Sequence, residues 1–159
     1  MRKVFAMLEK ICPVRKSHFL TGFTLIEMMV VVAVVIVLVS IAVPSVLRSR
    51  VVANEGAAIA NLRTLYNSAQ SYHIDSGQYP SLLSDLSNAV PPYVDSVLGS
   101  GTKQGYNFIY ESPDPDRFTV HANPAHAGLL RGRYFFMDEG GSIRYRVDSE
   151  AGPSDEIIK

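Results

Sequence analysis

The sequence predicts an α+β fold, in which one long amino-terminal helix packs under a small antiparallel β-sheet of about four strands. Three features predict it. Residues 23–43 are almost wholly apolar, residues 45–76 repeat apolar side chains at helical spacing, and the last third alternates strand-like stretches with turns. The length of 159 residues and the hydrophobic content of 47% fit one domain with an apolar segment and exclude a disordered chain.

The first 22 residues form a basic segment. They carry five Lys or Arg residues against Glu9, whereas the other 137 residues hold 10 basic and 14 acidic side chains. Basic segments beside a membrane span stay in the cytoplasm, so the amino end is predicted to lie inside and the rest of the chain outside. Cys12, the only cysteine, lies in this segment, and the exported part can therefore form no intramolecular disulfide.

The apolar run at residues 23–43 contains only three polar residues, Thr24, Glu27 and Ser40. As a helix it would reach about 31 Å, close to the thickness of the hydrocarbon core of a bilayer. The run therefore predicts a membrane span and argues against a freely soluble enzyme. Glu27 needs explanation, because an ionised carboxylate at that depth costs about 3 kcal/mol and demands a partner.

Pro44 follows the apolar run directly. Its ring removes one amide donor and crowds the carbonyl of Ser40, which predicts a kink or a loosened turn in the helix. The alternative is that Pro44 simply ends the span near the lipid headgroups.

Beyond Pro44 the pattern predicts the amphipathic half of the same helix, ending at about Ile74 before Asp75, Ser76 and Gly77. Gly56 is a weak point in this helix. It is interpreted either as a site of close packing against a strand or as a hinge. The apolar face is predicted to contain Val51, Ala58, Leu62, Leu65, Ala69 and Tyr72. The polar face is predicted to contain Arg48, Arg50, Asn54, Glu55, Asn61, Arg63 and Asn67.

Residues 77–159 are predicted to form the globular head. Residues 77–105 are interpreted as a connecting loop that contains one short helix at residues 81–87, with Ser81 as its cap. Strands are predicted at residues 106–111, 117–123, 133–138 and 143–147, and the last two strands should form a hairpin.

The junction between the basic segment and the apolar run carries a recognisable motif. A secretory signal would place its cleavage site after the apolar stretch, whereas here Gly22-Phe23-Thr24-Leu25-Ile26-Glu27 precedes it. This order closely resembles the prepilin motif of type IV pilins and type II secretion pseudopilins. The resemblance implies that a prepilin peptidase removes residues 1–22, cutting after Gly22, and methylates the new amino group of Phe23.

The resemblance also implies that the protein assembles with copies of itself into a filament. Glu27 would then pair with the ammonium of Phe23, within one chain or between neighbouring subunits, and set the register of the filament. Without the motif, Glu27 could equally be an acid that reaches water near the helix start. Ile36 stands where many pilins have glycine, which argues against extensive melting before Pro44.

The implied partners and location are those of a bacterial pilin. They are the prepilin peptidase, an inner-membrane assembly platform with its ATPase, and the inner membrane itself, spanned once with the head in the periplasm before the subunit joins a periplasmic or extracellular filament. By the same resemblance, residues 23–44 form the assembly helix and residues 45–76 the half that carries the head.

Three functions remain open from the sequence. The leading interpretation is a structural subunit of a type IV pilus. The alternative is a major-type pseudopilin of a type II secretion system. Residues 77–80, 105–108 and 134–140 resemble the branch of the family that contains both major pseudopilins and short cysteine-free pilins. A second alternative is a minor pilin that binds DNA or a surface.

Further candidate sites in the head are weak. Glu111, Asp114 and Asp116 could hold calcium only if their turn folded inward, and its two prolines favour a solvated turn instead. No catalytic motif is present, and His73, His121 and His126 are interpreted as surface histidines. The arginines that flank the last hairpin could bind nucleic acid, but in an acidic head we favour pairing with acids of the tail or of another subunit. These arginines are Arg131, Arg133, Arg144 and Arg146.

Overall fold

The structure of the protein, a computed structural model, describes residues 22–125 and 132–158. The basic leader with Cys12, and the predictions made for His126 and Arg131, lie outside the described residues. The chain divides into two compact units between Ser40 and Ile41.

The predicted long helix is confirmed as α1, Leu25–Ser76. It continues through Pro44, so the proline does not end the helix, and the kink stays a prediction. It also continues through Gly56, where an added Cβ would meet nothing within 4 Å. The interpretation of Gly56 as a site of close packing is therefore wrong.

The sheet of the second unit has six antiparallel strands in the order β1 to β6. Four of them confirm the predicted strands: β2 (Tyr106–Asp114), β3 (Arg117–Pro124), β4 (Tyr134–Asp138) and β5 (Ile143–Arg146). The predicted hairpin is β4 with β5, where Phe135 pairs with Tyr145. The two edge strands, β1 (Thr102–Lys103) and β6 (Glu156–Ile157), were not predicted, because two residues show no periodicity.

The connection between α1 and the sheet is more helical than predicted. It contains α2 (Leu83–Asn88) and α3 (Ser96–Gly99). Ser81 is not the cap of α2, because the helix begins two residues later and the Asp85 carboxylate accepts a bond from the Leu82 amide at 2.9 Å. In α3 the side chain of Asp95 accepts a bond from the amide of Leu98.

The core of the second unit lies between one face of α1 and one face of the sheet. Phe118 in this core is fully buried. Its ring stacks on that of Tyr110, with 5.6 Å between ring centroids, and packs against the tilted ring of Tyr79, with 4.8 Å between ring centroids. The other large contributors are Leu62 and Leu65 from α1, Leu86 and Leu98 from the short helices, and Val120, Phe135 and Met137 from the sheet.

The buried face of α1 differs from the predicted one at two positions. Glu55 and Asn61, predicted on the polar face, are only 7% and 8% exposed. Glu55 lies three residues before Ala58 and seven before Leu62, so helical spacing alone places it on the apolar face. Each is buried because it has a partner in the head, and for Asn61 this is Gln104, whose side-chain oxygen accepts a bond at 3.1 Å.

Candidate assembly site

The amino-terminal end of the described chain holds the candidate residues of the prepilin-type motif. Phe23 is 77% exposed, and the amide of Glu27 donates a hydrogen bond of 3.2 Å to the hydroxyl of Thr24. This bond satisfies an amide that has no partner in the first turn of a helix. Glu27 lies in that turn, where the helix dipole favours an acid, and within residues 22–125 and 132–158 its carboxylate contacts no partner.

The first half of α1 presents apolar side chains to its surroundings on every side. An 18-residue window of α1 has a mean hydropathy of 3.0, and none of it is buried. Leu25, Ile26, Met29, Leu38 and Ile41 are each more than 60% exposed. Among the described helices, α1 is the one long and apolar enough to cross a membrane. An exposed apolar surface of this size is unfavourable in water, and a bilayer or other apolar helices can bury it.

Ser40 is the polar residue nearest the end of this apolar surface. Its hydroxyl donates a bond of 2.8 Å to the carbonyl of Ile36, one turn back in the same helix. The hydroxyl is thus satisfied within α1, and Ser40 needs no partner elsewhere in a bilayer. Glu27 is then the polar group of this surface that still requires one.

A half-buried ion pair joins α1 to the head. The Glu55 carboxylate accepts hydrogen bonds from the backbone amide of Arg133 at 3.0 Å and from its Nε at 2.9 Å, while Nη2 lies 2.8 Å away. The carbonyl of Arg133 in turn accepts a bond from the hydroxyl of Tyr106, and burial raises the pKa of this tyrosine. Arg133, the residue before β4, is therefore bound both to α1 and to β2.

We expect Glu55→Ala to lower the free energy of unfolding of the head by about 2 kcal/mol, because it leaves three donors of Arg133 without their acceptor. The effect is smaller than for a fully buried pair, since Arg133 is 37% exposed. Guanidinium unfolding of the full chain in detergent measures it. Arg63→Ala, at an exposed position of α1, is the control, and equal stability of the two variants would contradict the role of the pair.

The arginines of β5 bind the carboxyl-terminal tail. Arg146 Nε donates to the Asp155 carboxylate at 3.0 Å, and Arg144 donates to the Asp155 carbonyl at 3.0 Å. The prediction that these arginines pair with acids of the tail is confirmed for Arg146. Arg144 binds a backbone carbonyl of the tail instead, and Arg133 pairs with Glu55 of α1. The amide of Gly152 and the guanidinium of Arg146 hold the pKa of Asp155 below its usual value.

The lowered pKa of Asp155 predicts a pH dependence. The carboxylate stabilises the head above its unfolded pKa, and this stabilisation is lost as pH falls through the lower folded pKa. We therefore expect Asp155→Asn to be less stable than the natural chain at pH 7 and equally stable in strong acid. Guanidinium midpoints at several pH values test this. A difference in stability between Asp155→Asn and the natural chain that persists in strong acid would contradict the prediction.

The weak candidate sites of the head are not assembled into a metal centre. Glu111, Asp114 and Asp116 are all exposed around the turn between β2 and β3. In the part of the chain that the structure describes, no three His, Cys, Asp or Glu side chains form a group that could hold a metal ion. The ring of His73 lies 3.7 Å from the carboxylate of Asp116 and packs against the tilted ring of Tyr79, and the ring of His121 lies 3.3 Å from the carboxylate of Glu150.

Comparison with known proteins finds relatives along most of the chain. No protein-family model matches it, and no solved structure matches it. A type II secretion system core protein G from Aeromonas hydrophila is 33% identical over 138 residues, which are 86% of this chain and 90% of the relative. The protein of the same name from Escherichia coli K12 is 28% identical over 137 residues, 86% of this chain and 88% of that protein.

A pilin is also similar to the chain. The type IV wide pilus major component PilA4 of Thermus thermophilus is 35% identical over 92 residues, which are 55% of this chain and 70% of the pilin. The long helix under an antiparallel sheet agrees with these relationships. The chain belongs to the type IV pilin and type II secretion pseudopilin family of structural, non-enzymatic proteins.

Proposed function

We propose that the protein is a major-type pseudopilin of a type II secretion system. The observation that carries the proposal is the extent of the similarity. The matches to two core G proteins cover 86% of the chain, so they necessarily include most of the head, whereas the match to the Thermus pilin covers 55%. This supports the alternative interpretation of the sequence better than the leading one, a type IV pilus subunit.

Membership of the pilin family implies polymerisation, and the exposed apolar surface of α1 suits it. Before assembly the bilayer covers this surface, and we propose that the helices of other subunits cover it in the filament. The amino end would stay in the cytoplasm and the head in the periplasm, as the basic leader favours. The inner-membrane platform and its ATPase would then add subunits to the filament.

Processing would complete the assembly site. Cleavage after Gly22 creates an ammonium on Phe23, one helical turn from the Glu27 carboxylate, which has no partner among the described residues. A charge that is expensive in the bilayer then gains a counter-ion, in its own chain or in a neighbour displaced along the filament axis.

We expect the mature protein, purified from its own membranes, to begin at Phe23 and to carry one additional methyl group. Intact-mass measurement and amino-terminal peptide analysis test both points. Gly22→Val should leave residues 1–22 attached, because the larger side chain blocks the peptidase site, whereas Ser40→Ala, far from the junction, should be processed normally. A natural protein that retains residues 1–22 in the membrane would contradict the processing.

Deletion of the gene in its own organism tests the choice between secretion and pilus. On the proposed function, proteins destined for export accumulate in the periplasm, while surface filaments remain unchanged by electron microscopy. A plasmid copy of the natural gene should restore export. Loss of surface filaments with normal export would instead identify a pilus subunit and overturn the proposal.

The third interpretation, a minor pilin that binds DNA, has little support in the described residues. Arg133 is bound to Glu55, while Arg144 and Arg146 are bound to Asp155. Guanidinium groups that already have acidic or carbonyl partners are poor candidates for binding phosphates along a nucleic acid strand.

A further inference from the structure

Arg48 and Arg50 are the only charged residues between Glu27 and Glu55. Both are exposed, and neither has an ion pair or hydrogen bond with any part of the chain that the structure describes. In this they differ from Arg133, which is bound to Glu55. Residues 22–125 and 132–158 therefore do not neutralise these two charges.

The two arginines lie just beyond the exposed apolar surface of α1. Val43, Val46 and Leu47 are between 40% and 53% exposed, and Arg48 follows at once. From Val43 a helix rises about 8 Å to Arg48 and about 10 Å to Arg50, and the headgroup layer of one leaflet is about 5 to 8 Å thick. If the hydrocarbon core ends near Val43, the guanidinium group of Arg48 lies at the depth of the lipid phosphates. The long side chain of Arg50 reaches back toward that depth, because helical side chains lean toward the amino end of the helix.

The side chains of Arg48 and Arg50 lie on opposite sides of α1, because two helical residues are about 200° apart. Arg48 lines an open hollow of about 740 Å³ with Pro44, Ser45, Ser49, Val52 and Ala53. Arg50 lines a separate groove of about 210 Å³ between α1 and the head, whose other lining residues include Leu47, Tyr106 and Pro124. Separate lipid molecules can reach each of the two places, whereas a single docked protein covers one.

We propose that Arg48 and Arg50 bind the phosphates of anionic phospholipids in the leaflet from which α1 emerges, and so set the depth of the subunit in the membrane before assembly. This rests on the membrane-inserted form in the proposed function. A guanidinium binds phosphate through paired hydrogen bonds, and its stem can lie along apolar surface. We call Arg48 and Arg50 together the collar. The rest of residues 23–159 carries eight basic and 14 acidic side chains, so the collar is the local attraction in a chain that an anionic membrane otherwise repels.

Lipid titration of the full chain in a neutral detergent, followed by native mass spectrometry, tests the proposal. We expect phosphatidylglycerol to bind more tightly than phosphatidylcholine. Replacing one arginine by glutamine should weaken phosphatidylglycerol binding about fivefold, and replacing both should weaken it about thirtyfold. Arg63→Gln is the matched control, because Arg63 is also exposed on α1 but lies about 20 Å beyond the collar.

Carbonate extraction of vesicles that contain the same variants separates this proposal from the function on which it rests. Insertion of all variants, with phosphatidylglycerol preference lost only when Arg48 and Arg50 are replaced, supports the proposal. Equal binding of the two lipids, an unchanged preference in the double variant, or an equal loss in Arg63→Gln would overturn it. A double variant that assembles poorly but keeps the preference would assign the arginines to subunit contacts and also overturn it. Failure of the natural chain to insert would overturn both proposals.

Discussion

Replacing Glu27 by alanine is expected to leave the subunit inserted in the membrane and cleaved, but to abolish filament assembly. The substitution acts in opposite directions on membrane insertion and on filament assembly. The isolated subunit is relieved of a carboxylate that costs about 3 kcal/mol at membrane depth, so insertion does not suffer. The filament loses the acid that would pair with the amino group of Phe23, and the apolar surface of α1 alone does not specify how far one helix is displaced along another.

Membrane fractionation measures insertion, the mass of the mature chain measures cleavage, and sheared-filament yield from cells that overproduce the protein measures assembly. Ser40→Ala is the matched control, because it also removes a polar group from the apolar surface, but one already satisfied by the carbonyl of Ile36. It should assemble normally. A normal filament yield from Glu27→Ala would refute the role of Glu27 in assembly while leaving the family membership intact.

Phe118→Ala is expected to lower the free energy of unfolding of the head by about 4 kcal/mol, the cost typical of deleting a buried aromatic side chain. Phe118 is fully buried at the centre of the core, where its ring contacts those of Tyr79 and Tyr110. None of these neighbours can fill the space without leaving its own packing, because protein interiors are close-packed.

Guanidinium unfolding of the full chain in detergent tests this, with near-ultraviolet circular dichroism of the tyrosines as the signal, since the chain contains no tryptophan. Ile109→Ala is the control, because Ile109 lies on the neighbouring strand β2 with 45% of its surface exposed. Its substitution should change stability by less than about 1 kcal/mol. Similar losses in the two variants would show that the core is not centred on Phe118.

The parts of the fold that could be predicted are those with a repeating pattern. α1 and the strands β2 to β5 show helical or alternating periodicity over four residues or more, and periodicity is what a sequence displays directly. The elements that were missed, α3, β1 and β6, contain two to four residues each. Their positions depend on contacts with the rest of the head, which a local pattern does not contain.

The candidate functional residues also divide into those that the sequence could predict and those that it could not. The junction at Gly22 and Phe23 with Glu27 is contiguous, so its motif is visible in six residues. The partner of Glu55 lies 78 residues later in the sequence, and the partner of Asn61 lies 43 residues later. Polarity alone assigned both to the solvent face. Only the three-dimensional structure shows the acceptors and donors that make their burial possible.

The order of the strands has a consequence for export. Among the described residues, each strand pairs only with the strands next to it in the sequence, from β1 through to β6. On the proposed function, the chain enters the periplasm behind its anchoring helix, so its strands arrive in the order in which they pair, and each new strand finds its neighbour already present. Local connections of this kind favour rapid folding. The emerging head would thus expose little unpaired sheet to other subunits, and β6 would finally pair with β5 and become the outer edge strand.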